Sequence, residues 1–89
     1  MSKIIQRDAS PLEKQQCLKW ELWQSGESDV FEYTYDQDVQ FVVQQGEAVI
    51  HSPTNPPVTI TPGKHVTILK GVQAKWAINS PVANRYQYV

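Results

Sequence analysis

Hydrophobic residues recur at every second position along most of this chain, and this alternation restricts the possible folds more than any other feature. Phe31, Tyr33 and Tyr35 share one parity, and the polar residues Glu32 and Thr34 lie between them. A period of two residues is typical of a strand that turns one face toward a core. Turn signals separate such segments roughly every eight to ten residues. The sequence therefore predicts an all-β sandwich or barrel of seven or eight short strands.

Glycine and proline mark the expected ends of these strands. Residues 44–47 contain a glycine and are predicted to turn the chain, and residues 52–57 are predicted to form a polar, proline-rich loop. Residues 61–64, Thr-Pro-Gly-Lys, give a strong turn signal. Pro81 is expected to end a strand, because proline cannot donate a ladder hydrogen bond.

The N-terminal segment carries a helix signal. Ser10 can cap the first turn, and Glu13 completes a capping box three residues later. We expect a short helix to about Leu18. The predicted organisation is an N-terminal arm with this helix over residues 1–17 and one β-barrel domain over residues 18–89.

Length, charge and cysteine content narrow the class of protein. A chain of 89 residues suits one domain with a marginal core, for which dimerisation is a common remedy. A net charge of -1 argues against nucleic-acid binding. Cys17 is the single cysteine, which favours a reducing compartment and a buried thiol. The N-terminus does not resemble a signal peptide, and no apolar run could span a bilayer, so we expect a cytoplasmic homodimer without a membrane partner.

The charges are distributed unevenly along the chain. All nine acidic residues lie between Asp8 and Glu47, and the cations that follow are Lys64, Lys70, Lys75 and Arg85. One interpretation is a basic face for an anionic ligand. We favour the other, which is pairing between strands on the outside of the barrel.

The strand phase also predicts which side chains turn inward. The inward set contains Phe31, Tyr33, Tyr35, Val39, Phe41, Val43, Ala48, Ile50, Val58, Ile60, Val66, Ile68, Ala74, Trp76, Ile78, Asn84, Tyr86 and Tyr88. Aromatic walls with a few polar tips are typical of a pocket for a small metabolite, and equally of a barrel filled by its own side chains. The candidate ligand-binding residues are Tyr33, Tyr35, Trp76, Asn84 and Tyr86.

Two segments resemble the motifs of the cupin superfamily, namely residues 45–47 and residues 61–71. The glycines at 46, 63 and 71 match the motif spacing, whereas Leu69 stands where the motif has proline. The resemblance implies an RmlC-like jelly-roll barrel. It also assigns the family's four metal-ligand positions to Tyr33, Tyr35, Val39 and Ala74.

A narrower resemblance is to the group of small cupins related to the (S)-ureidoglycine aminohydrolase cupin domain. The residues that carry it are Trp20, Trp23, Gly71, Trp76 and Tyr86. This resemblance covers about residues 18–89 and implies hydrolase-like chemistry as one possible activity. Fold alone does not give function.

The expected site holds no metal and no cofactor. Cupins that use a metal hold it with three histidines and a carboxylate, but valine and alanine donate nothing. His51 and His65 are predicted to point out of the barrel as exposed surface residues, because each has the parity opposite to its inward neighbours. Lys75 is likewise expected to point outward.

Three functions stay open from sequence alone. The first is a metal-free barrel that binds a small molecule, and the second is an enzyme of isomerase or hydrolase type that uses a tyrosine as acid or base. A tyrosine base needs a pKa well below about 10. The third is a structural homodimer, in which Trp20 and Trp23 either cap the barrel or form the interface.

Overall fold

The computed structural model describes residues 3–27, 29–53 and 55–89, and most of them lie in β-strands. One short α-helix and one 3-10 helix precede most of the sheet. The elements in chain order are β1 (Ile4–Asp8), α1 (Pro11–Gln16), a 3-10 helix (Cys17–Lys19), β2 (Glu21–Gln24), β3 (Val30–Thr34), β4 (Val39–Ser52), β5 (Asn55–Ile60), β6 (Lys64–Ile68) and β7 (Gln73–Tyr88). The predicted all-β class with a short N-terminal helix is confirmed.

Strands β4 and β7 form the long central pair of an antiparallel sheet with the order β1-β6-β4-β7-β2. The first half of β4 pairs with β6 and its second half with β5. Strand β7 pairs first with β3 and then with β2. The sheet therefore folds around one interior, with β4 and β7 belonging to both halves.

The interior is the predicted hydrophobic face. The buried cluster contains Ile4, Val39, Phe41, Val43, Ala48, Ile50, Ile60, Val66, Ile68, Val72, Ala74, Trp76 and Val82. All of these residues except Ile4, Val72 and Val82 belong to the predicted inward set. Burial of alternate residues is thus what holds the two halves of the sheet together.

The turn expected at residues 44–47 is wrong, because β4 continues through this segment. Its pairing with β7 is irregular there, and the inward parity changes between Val43 and Ala48. A β-bulge produces this change, since it adds a residue to one strand without ending the ladder. Gly46 adopts a φ of 86° in the bulge. Pro81 does not end β7, contrary to the prediction, because the bulge faces it from β4.

The loop expected over residues 52–57 is also shorter than predicted. Strand β5 begins at Asn55 and includes both following prolines. Strand β5 pairs only with β4 among the described strands, and an edge strand tolerates proline. Thr54, which was part of the predicted loop, lies outside the described residues.

The N-terminal helix forms as its sequence predicts. The Ser10 hydroxyl accepts a hydrogen bond from the Glu13 amide at 3.1 Å, and the Glu13 carboxylate accepts one from the Ser10 amide at 2.9 Å. Strand β1, which sequence analysis did not predict, pairs with β6 just before this helix. Across that pair Lys64 and Asp8 form an ion pair at 2.7 Å, which is the kind of cross-strand pairing we favoured.

The helical segment covers part of the outward face of the sheet. Ala9, Cys17 and Val42 form a second buried cluster there, with Trp20 packed against it. The thiol of Cys17 is buried as predicted, and burial raises its pKa. Within the described residues, no helix is long and apolar enough to cross a membrane.

His65 is buried, and its predicted exposure is wrong. Its side chain is 5% exposed. It has the parity opposite to Val66, so its outward direction was predicted correctly, but Trp20 lies against it with ring centroids 6.5 Å apart. Trp20, which shields His65 from solvent, belongs to a segment far away in sequence. Strand phase alone does not reveal such a long-range contact. His51 is exposed as predicted.

Candidate functional site

A pocket with a volume of about 160 Å³ opens into the interior between the strands. All five predicted ligand-binding residues line it. Its walls are Trp23, Phe31, Tyr33, Tyr35, Val39, Phe41, Trp76, Asn84, Tyr86 and Tyr88. The chain has three tryptophans, four tyrosines and two phenylalanines, and every one of them except Trp20 lines this pocket.

Four strands bring these residues together through the ladder register. Strand β3 places Phe31 opposite Trp76 of β7. Strand β4 places Phe41 opposite Tyr86, and β2 places Trp23 opposite Asn84. The wall is therefore built from the inward faces of strands that are distant in sequence.

Trp76 is the centre of the apolar floor. Its ring stacks on Phe31 with centroids 5.2 Å apart and an interplanar angle of 22°. Trp23 and Phe41 each lie 5.6 Å from it in tilted arrangements. Such contacts fix a large ring in place and add to the stability that burial gives.

Tyrosines form the rim of the pocket. Tyr33 and Tyr35 make an edge-to-face pair at 4.7 Å, and Tyr86 and Tyr88 make another at 5.8 Å. Tyr33 is 44% exposed and Tyr88 is 45% exposed, whereas Tyr35 reaches deeper. The Tyr35 amide donates to the Val72 carbonyl at 3.0 Å, which holds this residue at the end of β3.

The pocket wall carries polar groups that make no hydrogen bond with the described residues of the protein. Asn84 is 3% exposed, and its side-chain amide makes no hydrogen bond within residues 3–27, 29–53 and 55–89. The Trp76 indole Nε1 is buried and also unpaired in this part of the chain. Its N–H acts on the Tyr35 phenol and opposes the rise of that pKa, but the approach does not have the geometry of a hydrogen bond. An unpaired buried polar atom such as Trp76 Nε1 is rare in folded proteins, whereas the Asn84 amide is not among the buried unpaired atoms and is open to the pocket.

Two phenols of the pocket are held in their neutral form. Burial raises the pKa of Tyr35 to about 12. The neighbouring Tyr33 hydroxyl raises the pKa of Tyr88, and burial adds to this effect. These directions are opposite to what a tyrosine base requires, because a raised pKa leaves less of the phenol ionised near neutral pH than in water.

The residues present do not fit a cupin metal. The motif resemblance assigns four metal-ligand positions. Three of them line the pocket, namely Tyr33, Tyr35 and Val39, and the fourth, Ala74, lies in the adjoining core. Valine and alanine offer no donor atom, and two phenols alone make a poor metal site. No group of three histidine, cysteine or carboxylate side chains is close enough to hold a metal within the described residues.

Half of the wall residues were not among the predicted site residues. Trp23 was assigned to capping or to an interface. Strand β2 has four residues, which is too short for its parity to be read from alternation, and the pairing of Trp23 with Asn84 is a long-range contact that no local pattern reports. Four others were predicted to face inward but not to contact a ligand, namely Phe31, Val39, Phe41 and Tyr88.

A second and more polar cleft lies outside the barrel. Glu32, Lys75 and His51 lie side by side across β3, β7 and β4 on its floor. All three residues are exposed, and Lys75 points outward as predicted. This row is an ordinary solvated face of a sheet.

The fold matches solved structures over nearly the whole chain. A DUF861 family protein from Thermotoga maritima superposes with a TM-score of 0.88 at 22% identity, covering 98% of this chain and 100% of that one. The EutQ protein of Clostridium difficile gives a TM-score of 0.67 at 18% identity, covering 98% and 68%. A putative ethanolamine utilization protein Q from Salmonella typhimurium gives 0.60 at 16% identity, covering 98% of this chain and 55% of that chain. At these identities the likeness establishes the fold alone.

The sequence comparisons identify the family. None of the curated proteins compared with this chain is significantly similar to it, so the narrower likeness to the (S)-ureidoglycine aminohydrolase cupin domain is not established. The family match extends over residues 10–86, which is nearly the whole barrel with its N-terminal helix. With the jelly-roll-like sheet and the motif glycines, this match shows that the chain belongs to the EutQ-like cupin domain family.

Proposed function

We propose that this protein is a barrel that binds a small molecule in its aromatic pocket, without the metal chemistry of other cupins. The observation that carries the proposal is Asn84. Its amide makes no hydrogen bond with the described residues and is open to the pocket, since it is not among their buried unpaired side-chain atoms. A ligand in the pocket can form hydrogen bonds with this amide, because Asn84 lies on the wall where such a ligand would bind.

The size of the pocket limits the ligand. Pockets for drug-sized molecules are usually about 300–1,000 Å³, whereas an apolar cavity of about 150 Å³ is known to hold one benzene molecule. A volume of about 160 Å³ therefore suits a compound of roughly six to ten non-hydrogen atoms.

Catalysis by a tyrosine base is the weaker candidate. The raised pKa of Tyr35 opposes it, and no cation lines the pocket among the described residues. Hydrolysis of the kind carried out by ureidoglycine-processing cupins would need an activated water, for which the wall offers no ionised base. We therefore favour binding over reaction.

Binding is tested by nuclear magnetic resonance of the ¹⁵N-labelled full chain with a collection of planar compounds of this size. We expect several of them to shift the indole N–H signals of Trp23 and Trp76 at millimolar concentration. Trp20 lies outside the pocket, so its signal is an internal control that should not move. If no compound moves the Trp76 signal, the proposal fails.

A pair of variants tests where the compounds bind. Asn84→Leu removes the amide at similar volume, and we expect it to weaken the best compound by about tenfold or more. Gln87→Leu changes an exposed residue of the same strand and should leave affinity unchanged. Equal affinity of Asn84→Leu and the unaltered protein would place the binding site elsewhere.

A further inference from the structure

We infer that the ligand of this pocket is an uncharged planar compound that carries an amide or lactam group. This inference rests on the proposed function and specifies its ligand class. Three observations lead to it, namely the absence of ionised groups from the described wall, the unpaired amide of Asn84, and the arrangement of rings around Trp76.

The pocket wall is electrically neutral. None of its described residues is an acid, a lysine, an arginine or a histidine. The phenols of Tyr35 and Tyr88 keep their protons at neutral pH, because burial and the neighbouring Tyr33 hydroxyl raise their pKa values. A charged ligand would lose its hydration here and gain no counter-ion, so binding would be strongly opposed.

The Asn84 side chain has both an acceptor and a donor to satisfy. Its carbonyl oxygen accepts and its NH₂ group donates, and neither finds a partner in the described part of the chain. A primary amide or a lactam offers the complementary donor and acceptor on adjacent atoms. A carboxylate has no donor, and an amidinium has no acceptor, so each would leave one side of Asn84 unpaired.

The rings favour a flat compound. Phe31 and Trp76 are nearly parallel at 22°, and Phe41 is tilted by 36° from Trp76. Aromatic ligands gain from offset or edge contacts with such walls. Aromatic faces also attract cations, which makes a cationic ligand the main competing class. The NH₂ group of Asn84 disfavours a cationic ligand, because both groups donate hydrogen bonds.

Benzamide, benzoate and benzamidinium form a matched test series. They have the same ring and the same number of non-hydrogen atoms, and at neutral pH they carry charges of 0, −1 and +1. We expect benzamide to bind the full chain at least about tenfold more tightly than either charged compound, measured from the Trp76 indole signal. Tighter or equal binding of benzoate or benzamidinium overturns the inference and leaves the proposed function intact. If none of the three moves the signal up to its solubility limit, the inference fails, and the wider collection of compounds decides the proposed function.

A charge variant provides a second test. Asn84→Asp places a carboxylate on the wall, and we expect the order to reverse in favour of benzamidinium by about tenfold or more. Gln87→Asp adds the same charge at an exposed position of β7, and benzamide should still bind this variant most tightly. If Asn84→Asp does not fold, Asn84→Leu replaces it, and the advantage of benzamide over both ions should shrink. An unchanged order in Asn84→Asp, or an undiminished advantage of benzamide in Asn84→Leu, overturns the inference.

Discussion

Asn84 and His65 are the buried polar side chains of the described part of the chain. They differ in whether the fold itself supplies a partner. His65 Nε2 lies 3.8 Å from a Glu13 carboxylate oxygen, and Trp20 packs against its ring. Asn84 has no such partner among the described residues. The first residue therefore has a structural explanation, whereas the second is the residue on which the proposed ligand binding rests.

The environment of His65 predicts a dependence of stability on pH. Burial and the Arg7 charge lower its pKa below the usual value of about 6.5, and Glu13 acts in the opposite direction. The unfolded chain therefore takes up a proton near pH 6.5, whereas the folded chain takes it up only at lower pH. The contribution of neutral His65 to the free energy of unfolding is fully present above about pH 6.5 and decreases as the pH falls through this window.

Urea unfolding at several values between about pH 7.5 and pH 5.5 measures this effect. His65→Gln cannot titrate and should give a flatter profile, whereas His51→Gln changes an exposed residue and should keep the original slope. Glu13 also affects the free energy of unfolding, but in a separate window at lower pH. The reason is that the Arg7 guanidinium and the Ser10 amide lower its pKa far below the usual range. An identical profile for the His65 variant and the unaltered protein would contradict the prediction.

Among the strands, β4 has the largest influence on the site, because its bulge decides which residues reach the pocket and the core. Val43 and Ala48 both face inward although they differ in parity, and the irregular pairing between them makes this possible. Gly46 lies at the centre of the bulge and faces the backbone of Pro81. A Cβ at this position would overlap the Pro81 carbonyl.

Gly46→Ala should therefore destabilise the protein by more than about 2 kcal/mol, because the positive φ and the overlap with Pro81 both oppose a side chain. Gly26→Ala is the matched control. Gly26 also has a positive φ of 63°, but no atom of the described residues lies within 4 Å of the place that a Cβ would occupy. Only the conformational cost of about 1–2 kcal/mol applies there. Equal losses in urea unfolding for the two variants would show that the contact with Pro81 does not matter.

The bulge also explains which parts of the fold could be predicted from the sequence. Alternation identified the inward residues on both sides of it, because burial imposes parity within each segment. The glycine was correctly recognised as a break in the pattern but wrongly interpreted as a turn, since a bulge and a tight turn both use a positive φ. Strand β1 was missed because four of its five residues are exposed and its pairing with β6 is a long-range contact.

The candidate site was predictable to a similar extent. Parity alone brought Tyr33, Tyr35, Trp76, Asn84 and Tyr86 to one interior, and they do line one pocket. The volume of that pocket, the missing partner of Asn84 and the place of Trp23 depend on how side chains from four strands pack. Local sequence patterns contain none of this information.

The exposed hydrophobic residues of the molecule bear on the predicted homodimer. Strand β2 is at the end of the strand order. Its residue Leu22 is next to the pocket residue Trp23 and therefore lies on the outward face of the strand. It is 45% exposed, and Leu18 beside the start of this strand is also exposed. A small domain with an open strand and exposed leucines gains stability by pairing with a second copy.

Homodimerisation through this surface stays a prediction, and sedimentation of the full chain at several concentrations checks it. We expect a dimer whose dissociation is promoted by Leu22→Glu, because a carboxylate would have to be buried without a partner. Val30→Glu is the matched control, since Val30 is similarly exposed on the edge strand β3 but belongs to the other half of the sheet. A protein that stays monomeric at high concentration contradicts dimerisation, and dissociation by Val30→Glu alone would assign the interface to β3.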